Sequence, residues 1–396
     1  MKTSRVRSIV QVLVGLSGLM WRLLGATLYV WSESPDPKPP YTNWTTAARV
    51  IQDAVDAASA GDEVVVTNGV YATGGRAVDA AGTNRVAVTK PLTLRSVNGP
   101  EFTVIEGYQV PGTTNGTGAV RCVYLADGAS LSGFTLTKGA TRTSGEWPTE
   151  RSGGGVCCAS TNAVVTNCVL VGNSAWYGGG AYRGTLYNCS LTDNYSAGGG
   201  GGGAYESTLY NCTLTGNVAA RNGGGAYRST LYNCTLTCNS AESGGGALYS
   251  TLYNCTLTGN SAEYGGGARD STLHNSTVTG NSARRGGGVY GSTACNSIVC
   301  YNMADFWENY SDSTLNYCCT TPLPLEGVGN IHGDPKLVSS GHIALNSPCC
   351  GAGNAAYATG VDIDGEPWAS PPSIGCDEVH PEALTGPLAL TIQASF

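Results

Sequence analysis

Charged residues are scarce in this sequence. Lysine and arginine number 21 and aspartate and glutamate 28, so that 12% of the 396 residues are charged, about half of the roughly 25% typical of soluble domains. The net charge of -7 is mild and provides neither a nucleic-acid footprint nor a polybasic membrane segment. The histidines His274, His332, His342 and His380 lack the spacing of metal ligands. We therefore predict no nucleic-acid partner, no metal and no cofactor.

Glycine and cysteine are abundant instead. Glycine accounts for 57 residues and cysteine for 16, and the glycine share is about twice the usual one. The chain is too long to be a small disulfide scaffold, although disulfides among the irregularly spaced cysteines would suit an exported protein. Its length would suggest two or three domains. This estimate does not apply to repeat proteins, which lengthen by adding stacked repeats to a single domain.

The first 26 residues have the pattern of a secretory signal peptide. Three basic residues among the first seven precede an apolar run over 9–20, and Leu24-Gly25-Ala26 could be a cleavage site. Arg22 interrupts the apolar run, which disfavours a spanning helix. We predict a secreted or cell-surface protein with no membrane span beyond the signal segment 1–26.

The centre of the chain is a registered repeat. Asn followed by Cys or Ser returns every 21 to 23 residues, at Asn167, Asn188, Asn211, Asn233, Asn254, Asn275 and Asn296. A second asparagine follows six residues later each time, at Asn173, Asn194, Asn217, Asn239, Asn260, Asn281 and Asn302. A run of glycines precedes every copy. A fixed period of this length is typical of solenoid proteins.

Two solenoid architectures fit the period. L-Y-N-C-T-L-T-G-N at 209–217 matches a leucine-rich repeat if Cys212 replaces a leucine. Such a repeat also needs a helix or another apolar segment on its convex side. The residues that follow, 218–229, have no apolar face and contain a glycine run that opposes a helix. The pattern therefore favours an all-β parallel β-helix, which needs only short strands and turns.

Each coil is predicted to contain three strands. G-G-G-A-Y-R is followed by S-T-L-Y, a bend at the first asparagine, C-T-L-T, and a turn at the second asparagine. Asparagine tolerates the left-handed backbone region, and an earlier coil has Gly133 and Gly139 at the two aligned positions. Cys212 and Leu214 then share the inward face. Both asparagine columns are expected to form buried ladders of side-chain amides, so that the N-x-[S/T] sequons on the first column would carry no glycan.

The ends of the stack need covers. Apolar residues at helical spacing, followed by Gly61, predict an amphipathic cap helix near 45–60. We divide the β-helix, 27–380, into a cap with the first strands (27–120), regular coils (121–303), and irregular coils with a C-terminal closure (304–380). Residues 381–396 are interpreted as a tail or as the start of a truncated following domain.

These motifs resemble known β-helix proteins. G-G-G-A-Y and L-T-x-N are similar to the G-G-A-[I/L/V] and F-x-x-N repeats of chlamydial polymorphic outer-membrane proteins, with Leu in place of Phe. The segment 51–71 resembles the start of the pectin-lyase-like β-helices, and G-D-P-K-L-V, S-P-C-C-G-A-G and D-I-D-G-E-P-W resemble the closure of bacterial secreted β-helix proteins. The resemblance implies a right-handed parallel β-helix, in a superfamily that includes lyases, hydrolases and adhesins.

Acidic residues do not form an obvious catalytic cluster. The column after G-G-G-A-Y alternates in sign, which suits a solvent-exposed charge ladder, and Glu242 and Glu263 are the only stacked acidic pair in the turn column. Glycosidases need two carboxylates at a defined separation, and lyases of the resembled superfamily use clustered acids for Ca²⁺ with an Arg or Lys base. D-I-D-G at 362–365 lacks the later ligands of a calcium loop and is predicted to be a tight turn. We predict no catalytic residues.

A column of aromatic residues is the candidate ligand-binding site. It consists of Tyr187, Tyr210, Tyr232 and Tyr253, followed by His274. These side chains alternate with inward leucines and should face outward, where they could contact sugar rings or only stabilise the sheet. A second column has conflicting members, because Leu248 favours the inside and Arg269 the outside.

The leading functional hypothesis is a secreted or cell-surface β-helix, adhesin-like or structural, without catalysis. One alternative is a polysaccharide lyase or glycoside hydrolase whose site lies in the longer excursions near 138–152 or 303–333. Another alternative is a non-catalytic carbohydrate-binding module that uses the tyrosine column. The predicted partner is a polysaccharide or a host or neighbouring cell surface, and the predicted state is a monomer.

Overall fold

The computed structural model describes residues 25–78, 82–145 and 150–380. The predicted signal peptide, apart from its last two residues, and the predicted tail over 381–396 lie outside the described residues. No helix in the described part of the chain combines the length and apolarity needed to cross a membrane.

The chain forms a right-handed parallel β-helix, and successive coils contribute one strand to each of three long sheets. Sheet 1 contains Thr27–Val30, Glu63–Val66, Thr93–Ser96, Ser130–Ser132, Val164–Thr166, Thr185–Tyr187, Thr208–Tyr210, Thr230–Tyr232, Thr251–Tyr253, Thr272–His274, Thr293–Cys295 and Thr314–Asn316. Sheet 2 contains Gly69–Tyr71, Thr103–Glu106, Thr135–Thr137, Val169–Val171, Ser190–Thr192, Thr213–Thr215, Thr235–Thr237, Thr256–Thr258, Thr277–Thr279, Ile298–Cys300 and Cys319–Thr320. Sheet 3 contains Arg76–Ala77, Thr83–Val88, Val120–Leu125, Val156–Cys158, Ala181–Tyr182, Ala204–Tyr205, Ala226–Tyr227, Ala247–Leu248, Ala268–Arg269, Val289–Tyr290 and Tyr310–Ser311.

Two short parallel sheets lie in the excursions between sheets 2 and 3. The first excursion sheet contains Ser174–Tyr177, Tyr195–Gly200 and Val218–Ala219, and the second contains Ser261–Tyr264, Ser282–Arg285 and Met303–Phe306. Regular stacking continues to Thr320, one coil beyond the expected limit of 303.

The repeat sets the register of the core. Leu209 pairs with Leu186 and Leu231 in sheet 1, and Leu214 pairs with Leu191 and Leu236 in sheet 2. All of these side chains are fully buried. Because neighbouring coils place the same residue at the same point, the core is built from columns of identical side chains, as the period predicts.

Residues with positive φ make the bends between sheets. The first-column asparagines bend sheet 1 into sheet 2, with φ 52° at Asn211, and Gly133 does so at φ 79°. The next turn differs from the prediction. It bends at the residue before the second asparagine, such as Cys238 at φ 55° and Lys138 at φ 54°. Glycine is needed at position 139 because the backbone of the next coil lies too close for a side chain, and not because of a positive φ. A Cβ there would meet the carbonyl of Gly154.

A further bend lies at the column that the sequence suggested was only a charge ladder. Arg183, Glu206, Arg228, Tyr249 and Asp270 have φ between 44° and 57°, where sheet 3 turns into sheet 1. The strand of sheet 3 is consequently only the Ala-Tyr pair rather than the whole of G-G-G-A-Y-R. Ion pairs between neighbouring coils, such as Arg183 with Glu206 at 3.2 Å, still occur on this column.

The second asparagine column is a buried hydrogen-bond ladder. Asn239 is fully buried, and its Nδ2 donates to Asn260 Oδ1 and to the Leu214 carbonyl, both at 2.9 Å. Its Oδ1 accepts from the backbone N–H and the Nδ2 of Asn217, at 3.0 and 2.9 Å. The same pattern recurs from Asn173 to Asn302. Each amide therefore satisfies backbone groups that would otherwise be buried without a partner.

The first asparagine column differs from the buried ladder that was expected. The side chains of Asn167, Asn188 and Asn211 are exposed, since the αL backbone points them away from the core. Asn254, Asn275 and Asn296 are buried only because the C-terminal closure covers them, and their Nδ2 groups donate to carbonyls of Val361, Tyr357 and Asn354. Burial is therefore no argument against a glycan at Asn188 or Asn211.

The cysteine column is a ladder of thiols. Cys212 and Cys234 are buried, the backbone N–H of Cys212 donates to Cys234 Sγ at 3.4 Å, and the thiol of Cys234 donates to the Tyr232 carbonyl. Ser276 continues the ladder with its hydroxyl. Burial raises the pKa of the Cys168 thiol to about 12, which keeps it protonated as a donor. All cysteines lie in the described part of the chain, and none of them forms a disulfide.

Both ends of the stack are covered. Helix α1 spans Ile51–Ala57, shorter than the predicted 45–60 because a 3-10 helix, Trp44–Thr46, and an extended segment precede it. Ile51, Ala54 and Val55 of α1 are buried against the first coils. At the other end, residues 321–380 contain no long strands and fold back on the last coils.

Candidate functional site

The predicted tyrosine column lies on the outer face of sheet 1. Tyr187, Tyr210, Tyr232 and Tyr253 stack with ring centroids 4.8 to 4.9 Å apart and planes within 9° of parallel. His274 continues the stack at 5.0 Å. The ring faces therefore cover one another and present mainly edges and hydroxyls to solvent. A sugar ring binds aromatic faces, so this geometry suits sheet stabilisation better than sugar stacking.

The second aromatic column is buried, although it points away from the central core. Alanines on sheet 3 face the core, and the residues that follow them, Tyr182, Tyr205, Tyr227 and Leu248, form a separate apolar cluster. Tyr205 lies 5.1 Å from Tyr227 and 5.5 Å from Tyr177, between ring centroids. Leu248 and Arg269 gave conflicting indications in the sequence because this column faces away from the central core but is covered by other residues.

The first excursion sheet packs over the second aromatic column, and glycines allow its strands to lie close to the aromatic rings. Gly198 and Gly199 lie directly against the rings of Trp176 and Tyr177, so that a Cβ on either glycine would overlap a ring. Two glycines of the six-residue run at 198–203 are therefore required because any larger residue would clash with these aromatic rings. The sequence shows the extra glycines but not the rings that they contact.

The aromatic side chains and two arginines enclose an open depression of about 310 Å³ between coils. We define the aromatic–arginine depression by its main lining residues, Trp176, Tyr177, Tyr205, Arg221, Tyr227 and Arg228. Ala197, Gly198, Gly199 and Asn222 complete the lining, and no aspartate or glutamate of the described chain lines it. The depression thus offers aromatic surface and positive charge at one place.

Cationic groups surround the aromatic side chains. The guanidinium of Arg228 lies 5.4 Å from the ring centre of Tyr227, and that of Arg151 lies 5.8 Å from the ring centre of Tyr177. Arg221 and Arg228 are exposed, so they can also reach a ligand. Burial is the main cause that raises the pKa of Tyr205 to about 12. Its hydroxyl therefore stays neutral and can donate a hydrogen bond at physiological pH.

The acidic residues considered for catalysis lie elsewhere. Glu263 of the stacked pair binds Arg284 at 3.0 Å across two neighbouring strands of the second excursion sheet, rather than in the turn that the sequence predicts. In the excursion near 138–152, Glu150 pairs with Arg142 at 3.3 Å. Asp362 is fully buried and caps a tight turn, accepting hydrogen bonds from the backbone N–H groups of Asp364 and Glu366 at 3.0 and 2.7 Å. The D-I-D-G motif therefore forms the predicted turn.

Comparisons with solved structures place the fold among known β-helices. A pectate lyase, Pel9A, matches with a TM-score of 0.53 and 12% identity over 89% of this chain and 96% of its own. Dettilon tailspike protein matches with a TM-score of 0.44 and 11% identity over 80% and 70%, and an alginate lyase from Paenibacillus with 0.35 and 12% over 70% and 94%. No family profile and no curated protein matches, so the resemblance to chlamydial repeats stays a prediction. The chain therefore shares the right-handed parallel β-helix fold of a pectate lyase.

Proposed function

We propose that this chain is a secreted or cell-surface, adhesin-like β-helix that binds an acidic polysaccharide in the aromatic–arginine depression without cleaving it. The observation that carries the proposal is the juxtaposition of Arg221 and Arg228 with Trp176, Tyr205 and Tyr227 in one open depression without acidic lining. Export is the expectation from the N-terminal pattern of the sequence.

The chemistry of the depression suits a uronate unit. A guanidinium can bind a carboxylate through two parallel hydrogen bonds, and aromatic side chains pack against the C–H faces of sugar rings. A volume of about 310 Å³ lies at the lower end of the usual range for ligand sites. Because the depression is open to solvent, a polymer can place a sugar unit in it while the rest of the chain stays outside.

A second candidate function is polysaccharide cleavage, which the fold shared with a pectate lyase favours. Glycoside hydrolysis requires a pair of carboxylates around the scissile bond, and the lyases of the resembled superfamily use clustered acids to bind Ca²⁺ beside an Arg or Lys base. The depression has none among its described lining residues, and Glu150 and Glu263 bind arginines. Fold similarity does not determine activity. The residues that line the depression are therefore stronger evidence than the shared fold, and they support binding without cleavage.

The purified chain is expected to bind polygalacturonate and not neutral dextran. Added salt should weaken binding because it screens contacts between exposed arginines and carboxylates. The double variant Arg221→Gln/Arg228→Gln should lower the affinity by roughly tenfold or more, as the loss of at least one charge-assisted contact implies. Isothermal titration calorimetry with defined oligogalacturonates measures both effects.

Arg284→Gln is the matched control, because Arg284 is an exposed arginine in a strand of the second excursion sheet, contacts Glu263 and does not line the depression. It should bind as the unmodified chain does. Equal affinity of the double variant and the control would contradict the proposed site. Depolymerisation of the polymer by the purified chain would overturn the non-catalytic function.

A further inference from the structure

The C-terminal closure brings together three metal-ligating side chains. His342, Asp364 and Asp377 each offer one ligand atom, and these atoms lie within 4.8 Å of one another. His342 Nε2 is 2.8 Å from Asp364 Oδ2. The three residues come from separate segments, so their contact arises only when the closure folds.

Asp377 is a buried carboxylate that has few hydrogen-bond donors and no cation among the described residues to replace its lost hydration. It is 6% exposed, and its Oδ2 accepts one hydrogen bond, from the backbone N–H of Ile343 at 3.0 Å. No other donor of the described chain bonds to this carboxylate, and no lysine or arginine pairs with it. A buried carboxylate without a cationic partner is a position at which a bound metal ion would be stabilising.

The neighbouring Asp362 does not share this need. Its Oδ1 accepts from Asp364 and Glu366, and its Oδ2 accepts from the backbone N–H of Glu378 at 3.0 Å. Asp362 therefore holds the turn that presents Asp364, and Asp364 and Asp377 keep oxygen atoms for a ligand.

The imidazole of His342 is held in position by Ser339. Nδ1 of His342 lies 2.6 Å from Ser339 Oγ, and this oxygen also accepts the backbone N–H of His342 at 3.1 Å. The hydrogen bond at Nδ1 leaves Nε2 facing the carboxylates. A metal-binding histidine typically has its other ring nitrogen bonded to such a partner.

We propose that His342, Asp364 and Asp377 bind a divalent transition-metal ion of the zinc class and thereby clamp the C-terminal closure. One imidazole nitrogen with two carboxylate oxygens is a donor set that zinc accepts, whereas calcium and magnesium prefer oxygen alone. Three protein ligands leave at least one position for water. The ion joins the loop at 339–342, the turn at 362–366 and the segment around Asp377.

Calorimetric titration of the full chain with Zn²⁺ tests the proposal. A Cys238→Ser background removes an exposed thiol that could bind zinc on its own. In this background we expect one site, and an affinity reduced roughly tenfold or more by His342→Gln and by Asp364→Asn. His332→Gln, a change at an exposed histidine outside the cluster, should leave the affinity unchanged.

Two further measurements separate lost binding from misfolding. Circular dichroism should show that His342→Gln is folded, and Zn²⁺ should raise the melting temperature of the background protein but not of His342→Gln. Absence of Zn²⁺ binding to the folded background protein would overturn the proposal. So would the same affinity in His342→Gln and His332→Gln.

Discussion

An Asn239→Ala variant is expected to lose about 4 kcal/mol of unfolding free energy. The substitution removes the acceptor of the Asn217 backbone N–H and the donor to the Leu214 carbonyl, all within the fully buried ladder. Each buried polar group left without a partner costs about 1–3 kcal/mol, and the small cavity left by the shorter side chain adds to this loss. Equilibrium denaturation in urea, followed by circular dichroism, measures the difference.

Asn211→Gly is the matched control from the other asparagine column. Asn211 is exposed, has φ 52° and makes one weak side-chain bond to Asn188 at 3.3 Å. Glycine accepts this backbone conformation, and Gly133 already occupies the aligned position. The change should cost less than about 1 kcal/mol. Similar losses in both variants would contradict the different roles of the two columns.

Gly245→Ala is expected to cost about 3 kcal/mol, at the upper end of overpacking effects. A Cβ at this middle glycine would meet the carbonyl oxygens of Ser261 and Gly266 on the next coil. Both contacts are with backbone atoms, so a side-chain rotation cannot relieve them. The coils would have to separate locally, which breaks the hydrogen bonds that Gly245 makes to its neighbour. Urea denaturation is again the measurement.

Gly259→Asn is the control for Gly245→Ala. Glycine at position 259 meets the need for a positive φ, and the neighbouring coil leaves room there for a side chain. Its φ is 67°, and the nearest atom to an added Cβ is Cys238 Sγ at 3.4 Å. Asparagine tolerates positive φ, so stability should change by less than about 1 kcal/mol. A Gly245→Ala protein as stable as Gly259→Asn would show that close coil contact does not explain the glycine run.

Periodicity made much of the fold predictable. Residues such as Cys212 and Leu214 repeat at fixed spacing, and a column needs only spacing and alternation to be assigned to the core. Spacing does not show which of two adjacent residues carries positive φ, so the repeat predicts the turn at Asn239 whereas the structure has it at Cys238. Nor does it show that an αL bend turns the Asn211 side chain outward.

The candidate sites were less predictable because they depend on contacts outside the period. The rings of Trp176 and Tyr177 lie in an excursion, and only the fold places Gly198 and Gly199 against them. His342 is 22 residues from Asp364 in an irregular segment, so no motif spacing marks the cluster. The six-residue glycine run at 198–203 and the second aromatic column, with Tyr205 and Tyr227, were sequence signals near the depression, but only the structure shows how they pack.

Footprinting with hydroxyl radicals in the presence and absence of oligogalacturonate distinguishes the aromatic–arginine depression from the stacked tyrosine column as the binding surface, because it reports on every aromatic side chain at once. We predict protection of Trp176 and Tyr177 in the aromatic–arginine depression, and no change at Tyr187 or Tyr210 on the stacked column. Protection of Tyr187 and Tyr210, with Trp176 and Tyr177 unchanged, would contradict it and transfer the binding surface to sheet 1.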